Sequence, residues 1–168
     1  MKITISYLLS KNAHLGHKIK YSNFKLFKYI YGILNGVSII NLEFTMNQIK
    51  RILFLIYDIS IRMGTVRIMD SLDIKPGFLT NKKQISDLIC VFDERNKTQI
   101  SKEARSQNIP VLSIIDTNNH YSSIDYPIII NNDLSQIKKS LKDSILKSHI
   151  NGKKNSSIRF KYNYILHD

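Results

Sequence analysis

Residues 87–118, DLICVFDERNKTQISKEARSQNIPVLSIIDTN, decide the fold. Leu88-Ile89-Cys90-Val91-Phe92 is a short unbroken apolar run, the pattern of a strand covered on both faces. The spacing then predicts a helix over 98–107, with Ile100 and Ala104 on one face and Lys102, Glu103 and Arg105 off it. Thr98 reads as its N-cap, and Asn108 suits the left-handed turn that closes a helix. Pro110 stands where a strand can start, and Val111–Ile115 is again apolar and mostly branched. Two strands joined by a helix of this length form a right-handed parallel unit. Asp93 and Asp116-Thr117-Asn118 thereby fall at the carboxyl ends of adjacent strands, where open parallel sheets bind ligands.

Outward from this unit, the loop 119–125 is polar, and Tyr126-Pro127-Ile128-Ile129-Ile130 reads as a last strand with proline at its start or edge. Asp133-x-x-Gln136 has the form of a capping box opening a helix to about His149, with Leu134, Ile137, Leu141 and Ile145 inward. Residues 151–157 read as a linker. Beyond them Ile158, Phe160, Tyr162 and Tyr164 alternate with Arg159, Lys161 and Asn163, the pattern of an extended tail docked on a partner. Upstream, residues 65–69 predict a short strand. The stripe Ile49, Ile52, Leu53, Ile56 and Ile59 or Ser60 predicts a helix over 45–62 that Gly64 ends. Residues 29–40 alternate around Asn35-Gly36, a strong hairpin signal. Residues 71–83 are irregular around the Pro76-Gly77 turn, and too little chain separates Met69 from Leu88 for an ordinary crossover helix. Residues 3–9 suit a helix or an extended arm. The division expected is an α/β domain over 1–150, with arm and hairpin in 1–43 and core in 44–150, and a basic-aromatic tail over 151–168.

The chain has 168 residues, a formal net charge of +12 and a pI near 9.8. Such an excess favours a polyanionic partner, through phosphate neutralisation and counterion release. The lone cysteine, Cys90, excludes an internal disulfide and reads as a small buried hydrophobe. The most apolar window, residues 52–57, is too short to span a membrane, and the start has no signal-peptide pattern. Isoleucine, lysine and asparagine abound, while alanine occurs only at Ala13 and Ala104. That bias follows A/T-rich codons and points to an organelle or a reduced bacterium.

Residues 12–29 interleave Lys18, Lys20, Lys25 and Lys28 with Tyr21, Phe24, Phe27 and Tyr29. Lysines can meet phosphates, and aromatics can stack on bases or pack in a core. His14 and His17 have the spacing of half a zinc site, but no second pair completes it, so no metal and no other cofactor is expected. Glycine-rich phosphate loops, G-x-S-x-G and His-Glu-x-x-His are all missing. Asp93 and Asp116 are the remaining candidates for acid–base work, and aspartate at a strand end is commonly a turn former.

These residues together resemble the universal S-two family of small-ribosomal-subunit proteins. The family shows G/A-x-H-x-G-H before a basic-aromatic stretch, and Ala13-His14-Leu15-Gly16-His17 is a close match to it. Its hairpin ends in I-I-N-L-E/D-K-T, and Ile39-Ile40-Asn41-Leu42-Glu43-Phe44-Thr45 departs from that only at Phe44. Pro76-Gly77-Phe78-Leu79-Thr80-Asn81 resembles its G-G-x-L-T-N, with proline for the first glycine. Ser86-Asp87-Leu88, Lys102-Glu103-Ala104 and the stretch from Ile109 to Asn118 mirror its P-D-L strand, K-E-A helix and I-P-V-x-A-I-x-D-T-N strand end. The family's extra crossover between Met69 and Phe78, and its protruding helical hairpin after the T-N element, have almost no counterpart here.

The resemblance implies a flavodoxin-like αβα sandwich with a mostly parallel sheet, reduced and lacking that protrusion. It implies a structural, non-catalytic constituent of the small ribosomal subunit, on the solvent side at the junction of head and body. The partners implied are small-subunit rRNA and neighbouring ribosomal proteins, with no membrane and no small-molecule substrate. Candidate rRNA contacts are His14, His17, Lys18, Lys20, Tyr21, Lys25, Lys28, Asn81, Lys82 and Lys83, and candidate tail contacts are Lys153, Lys154, Arg159 and Lys161. The codon bias, and a family motif starting close to Met1 with no space for an import presequence, point to a mitochondrion, with a plastid or reduced bacterium as alternatives. Two other functions compete: a small Rossmann-like enzyme using Asp93 and Asp116, and a free RNA-binding regulator.

Overall fold

The computed structural model describes residues 3–69, 79–80, 86–92, 94–119 and 123–165; for 94–96 and 157–165 it describes the backbone. The chain opens with helix α1 (Ile5–Ser10), strand β1 (Leu15–Lys18) and two 3-10 turns (Ile19–Tyr21, Phe24–Tyr29). Hairpin strands β2 (Ile30–Leu34) and β3 (Val37–Ile40) and helix α2 (Leu42–Ile61) follow. Then come β4 (Val66–Met69), β5 (Leu88–Val91), α3 (Glu94–Ser106), β6 (Val111–Ile115), β7 (Tyr126–Ile129) and α4 (Ser135–Ile165). β4, β5, β6 and β7 form a parallel sheet in that order, and β1, β3 and β2 form a separate antiparallel sheet. The parallel α/β core expected from residues 87–118 is therefore present.

Strand alternation divides the core. Leu88, Cys90, Leu112, Ile114 and Ile128 pack against α1, α2 and α4. Ile89, Val91 and Val111 face the other way, onto Ile100 and Ala104 of α3. Ile115 and Ile129, near the strands' carboxyl ends, meet Leu26, Tyr29 and Ile40 of the N-terminal segment. Cys90 is fully buried, and burial pushes its thiol up to about 12, so it stays an uncharged hydrophobe.

Helix ends follow local chemistry. Asn41 caps α2, its Oδ1 accepting from the N–H groups of Glu43 and Phe44. α1, α2 and α3 each close on a left-handed residue, Asn12 (φ 55), Met63 (φ 64) and Asn108 (φ 55). In each case the next N–H reaches back five residues: Ala13 to Leu8 O, Gly64 to Ile59 O, Ile109 to Ala104 O. The residue that ends α2 is thus Met63, and Gly64 is needed for space: a Cβ there would lie 2.6 Å from Ile59 Cγ2.

Other expectations need correction. Thr98 lies inside α3, which begins at Glu94. The first turns escaped the apolar pattern because the buried position there is Lys97, whose Nζ donates to Ile114 O at 2.6 Å. Asp133 precedes α4 without opening it, since the helix begins at Ser135. Residues 151–157 are helical and no linker. Gly152 sits where α4 crosses α2, and a Cβ there would lie 2.5 Å from Ser60 Cβ and 2.8 Å from Tyr57 O. The backbone stays helical to Ile165, so the alternation read as an extended tail falls on a helix.

Candidate nucleic-acid interface and its anchor

β1 docks on the carboxyl end of β6. Gly16 permits this approach: a Cβ there would lie 2.6 Å from both Ser38 Oγ and Thr117 Cγ2. His17 N donates to Thr117 Oγ1 at 2.8 Å, and His17 Nδ1 lies 3.1 Å from Asp116 Oδ1. Downstream, Asn23 N donates to Thr117 O at 2.8 Å and Asn23 Nδ2 to Asn119 O at 3.2 Å. Ala13 O accepts from Asn131 N at 3.2 Å, and Ser38 Oγ donates to His17 O at 2.8 Å. The two motifs Ala13–His17 and Asp116–Asn118, far apart in sequence, are one structural joint.

Asp116 is the centre of that joint. It is 2% exposed, yet its carboxylate is well supplied with donors. Oδ1 accepts from Thr117 N (2.6 Å) and Thr117 Oγ1 (3.2 Å) as well as facing His17, and Oδ2 accepts from Asn132 N at 2.8 Å. Its own N–H donates to Asn119 Oδ1 at 2.9 Å. Asp133, read from sequence as a helix cap, instead faces this pair: single ligand atoms of His17, Asp116 and Asp133 lie within 4.8 Å of one another. One imidazole and two carboxylates can hold a divalent ion. His14 is not part of this trio, and its buried Nδ1 has no hydrogen-bond partner among the described residues.

The segment held by this joint is strongly one-sided in charge. Residues 1–42 contain six lysines and no acidic residue; Glu43 is the first. Lys18, Lys20, Lys25 and Lys28 are all exposed, as are Tyr21, Phe24 and Phe27. Lys20 Nζ lies 4.7 Å from the centre of the Tyr21 ring, and Lys28 Nζ lies 4.9 Å from that of Tyr29. Tyr29 in turn packs on Phe44 with ring centres 4.7 Å apart. Of the predicted contact residues, His17 is half-buried and engaged, whereas the four lysines and Tyr21 face solvent. Lys153 and Lys154 are exposed on α4. Asn81, Lys82, Lys83 and Asp93 lie outside the described residues, and so do the side chains of Arg159 and Lys161. Sequence reasoning missed β1, whose four residues Leu15-Gly16-His17-Lys18 carry no apolar alternation.

The family model for ribosomal protein S2 matches residues 8–72 and 67–152, breaking near the end of β4. The small ribosomal subunit protein uS2 of Thermus thermophilus is 35% identical over 95 residues, taking in 56% of this chain but only 33% of that protein. That of Ehrlichia canis is 27% identical over 221 positions, covering 88% of this chain and 76% of the relative. That of Colwellia psychrerythraea is 20% identical, covering 93% and 94%. The match spans a third of the Thermus relative, and the 221 aligned positions exceed this chain's own length, so the Ehrlichia relative carries residues without counterpart here. With the two matched segments together taking in most of the 168 residues, the chain belongs to the ribosomal protein S2 family.

Proposed function

We propose that this protein is a structural constituent of the small ribosomal subunit, attached by rRNA and by neighbouring ribosomal proteins. Members of the family are structural and non-enzymatic, and the joint described above suits that role. Asp116, one of the two acid–base candidates in the sequence, spends its lone pairs on the chain's own donors. The observation that carries the reading is the acid-free N-terminal segment, fixed to a rigid parallel sheet and presenting four exposed lysines among aromatic rings. In this reading Lys18, Lys20, Tyr21, Lys25 and Lys28 touch rRNA, and His17 positions them through Asp116. Asn81, Lys82 and Lys83, with Lys153, Lys154, Arg159 and Lys161, form secondary contacts. The place proposed is the solvent side at the head–body junction, in a mitochondrial ribosome, as the A/T-type residue bias suggests.

Sedimentation tests this directly. The tagged full-length protein should migrate with small subunits at low salt and stay with them through moderate salt washes. Replacing Lys18, Lys20, Lys25 and Lys28 together by glutamate should release it while its circular dichroism is retained. A protein that stays at the top of the gradient in all conditions contradicts the assignment. Mass spectrometry of purified mitochondrial, plastid and bacterial ribosomes from the source organism decides the compartment.

A further inference from the structure

β2 ends the antiparallel sheet, so its outer edge has no strand beside it among the described residues. On it stand Tyr31 (81% exposed), Ile33 (59%) and Leu34 (63%). Solvated edges are usually guarded by charge or proline. Residues 30–34, IYGIL, contain neither, and the register shift between Ile30 and Gly32 leaves Ile33 and Leu34 in regular pairing with β3. Gly32 answers no internal need, since a Cβ there would meet nothing within 4 Å. Its effect is to bare the backbone on the exposed edge. Asn35 (φ 50) and Gly36 (φ 75) make the two-residue turn across which Leu34 pairs with Val37, and the pair that flanks such a turn is a hydrogen-bonded one. By the alternation of an antiparallel ladder, the N–H and C=O of Ile33 then point away from β3.

We infer that this edge receives an extended segment of a neighbouring protein, apolar at alternate positions and bearing acidic residues, which adds a strand beside β2. The inference rests on the ribosomal reading above. An unpaired backbone edge at strand spacing is matched by another peptide backbone. RNA is a poorer occupant, because beyond the single ring of Tyr31 the edge offers Ile33 and Leu34, which have neither a ring face for a base nor a donor for a phosphate. A second copy of the chain is opposed by charge, since it would set one acid-free lysine segment against another. The same excess of lysine, with Lys28 exposed just before the strand, selects acidic residues in the incoming segment.

The test places a photo-crosslinking phenylalanine derivative at position 31 of the full-length protein, assembles it into small subunits, and isolates them by sedimentation. The expected product is a crosslink to one other ribosomal protein, mapped by mass spectrometry to an extended stretch containing aspartate or glutamate. Ile33→Pro removes the outward N–H without breaking a bond to β3, and should lower the crosslink yield by about tenfold while the subunit still retains the protein. Ile33→Thr keeps that N–H and should retain more of the yield, which separates edge pairing from loss of the side chain. A crosslink to rRNA, a crosslink to a second copy, no crosslink in subunits that hold the protein, or an unchanged yield with Ile33→Pro each overturns the inference. Absence of the protein from small subunits is a distinct result, which overturns the ribosomal reading and this inference with it.

Discussion

Gly16 has no room for a side chain, and the reason lies in Thr117 and Ser38, not in its own backbone. A methyl group there would sit 2.6 Å from Thr117 Cγ2, so Gly16→Ala must push β1 off the end of β6. A cost of about 1–3 kcal/mol is expected for such overpacking, seen as a lower denaturation midpoint. Gly36 offers the contrast. Its φ is 75 but nothing lies near its missing Cβ, so Gly36→Ala should cost only the backbone strain, about 1 kcal/mol. Asp116 supports the same joint through charge. Asp116→Asn keeps the shape but replaces an acceptor oxygen with a donor nitrogen, which must face either Thr117 N or Asn132 N. A loss of about 1–3 kcal/mol follows, measured by chemical denaturation. An Asp116→Asn protein of unchanged stability would show that the buried carboxylate does not pin the joint. Phe44, the one departure from the family's hairpin ending, packs its ring on Tyr29 and so ties the first turn of α2 to the basic segment.

α4 shows where the sequence was readable and where it was not. Leu141 and Ile145 announced its buried face at helical spacing, and both are buried. Its far half was hidden, because residues 151–157, NGKKNSS, have the composition of a linker. There the helix is held by small and polar contacts: Gly152 against Ser60, Asn155 Nδ2 donating to Tyr57 Oη at 2.8 Å, and Ser156 Oγ 3.2 Å from Met63 Sδ. Hydrophobic periodicity cannot signal a seam made of glycine and hydroxyls. Lys97 hid the first turns of α3 for a related reason, as a cation standing where a pattern search expects an apolar side chain. Asn35-Gly36, by contrast, fixed the hairpin because a turn needs only its own two residues. The joint of His17, Asp116 and Asp133 was half legible: both motifs stood out, but their meeting depends on a tertiary approach that neither encodes alone. At the α2–α4 seam, Ser60 Oγ donates to Ile56 O and so accepts from His149 Nδ1, 2.6 Å away. Burial first, and Lys153 second, lower the His149 pKa below its ordinary 6.5. The unfolded chain therefore takes up this proton at higher pH than the folded one. The seam should be at full strength above pH 6.5 and weaken as pH falls below it. Protection factors of α4 amides, which divide out the slower intrinsic exchange in acid, should fall on acidification across that window, and His149→Gln should flatten the response.

For the molecule as a whole, charge and shape divide the work. The parallel sheet supplies rigidity, and the acid-free first 42 residues supply attraction for a polyanion. Because that attraction comes from displaced counterions, it has a signature that hydrophobic docking lacks. Binding of the full-length protein to small subunits depleted of it should weaken linearly in log affinity against log salt. Each lysine that neutralises a phosphate should contribute about 0.7–0.9 to the slope. Single Lys→Gln changes at positions 18, 20, 25 and 28 should therefore each flatten the line by roughly that amount, without altering the affinity extrapolated to high salt. Lys138 and Lys139, on α4 and outside the basic N-terminal segment, serve as controls and should leave the slope alone. The Gly16→Ala protein tells anchor from interface. Its lysines are intact but their platform is displaced, so it should bind more weakly at every salt concentration with little change in slope. If instead its line flattens as much as a lysine mutant's, the joint contributes charge contacts of its own, and the separation of anchor from interface fails.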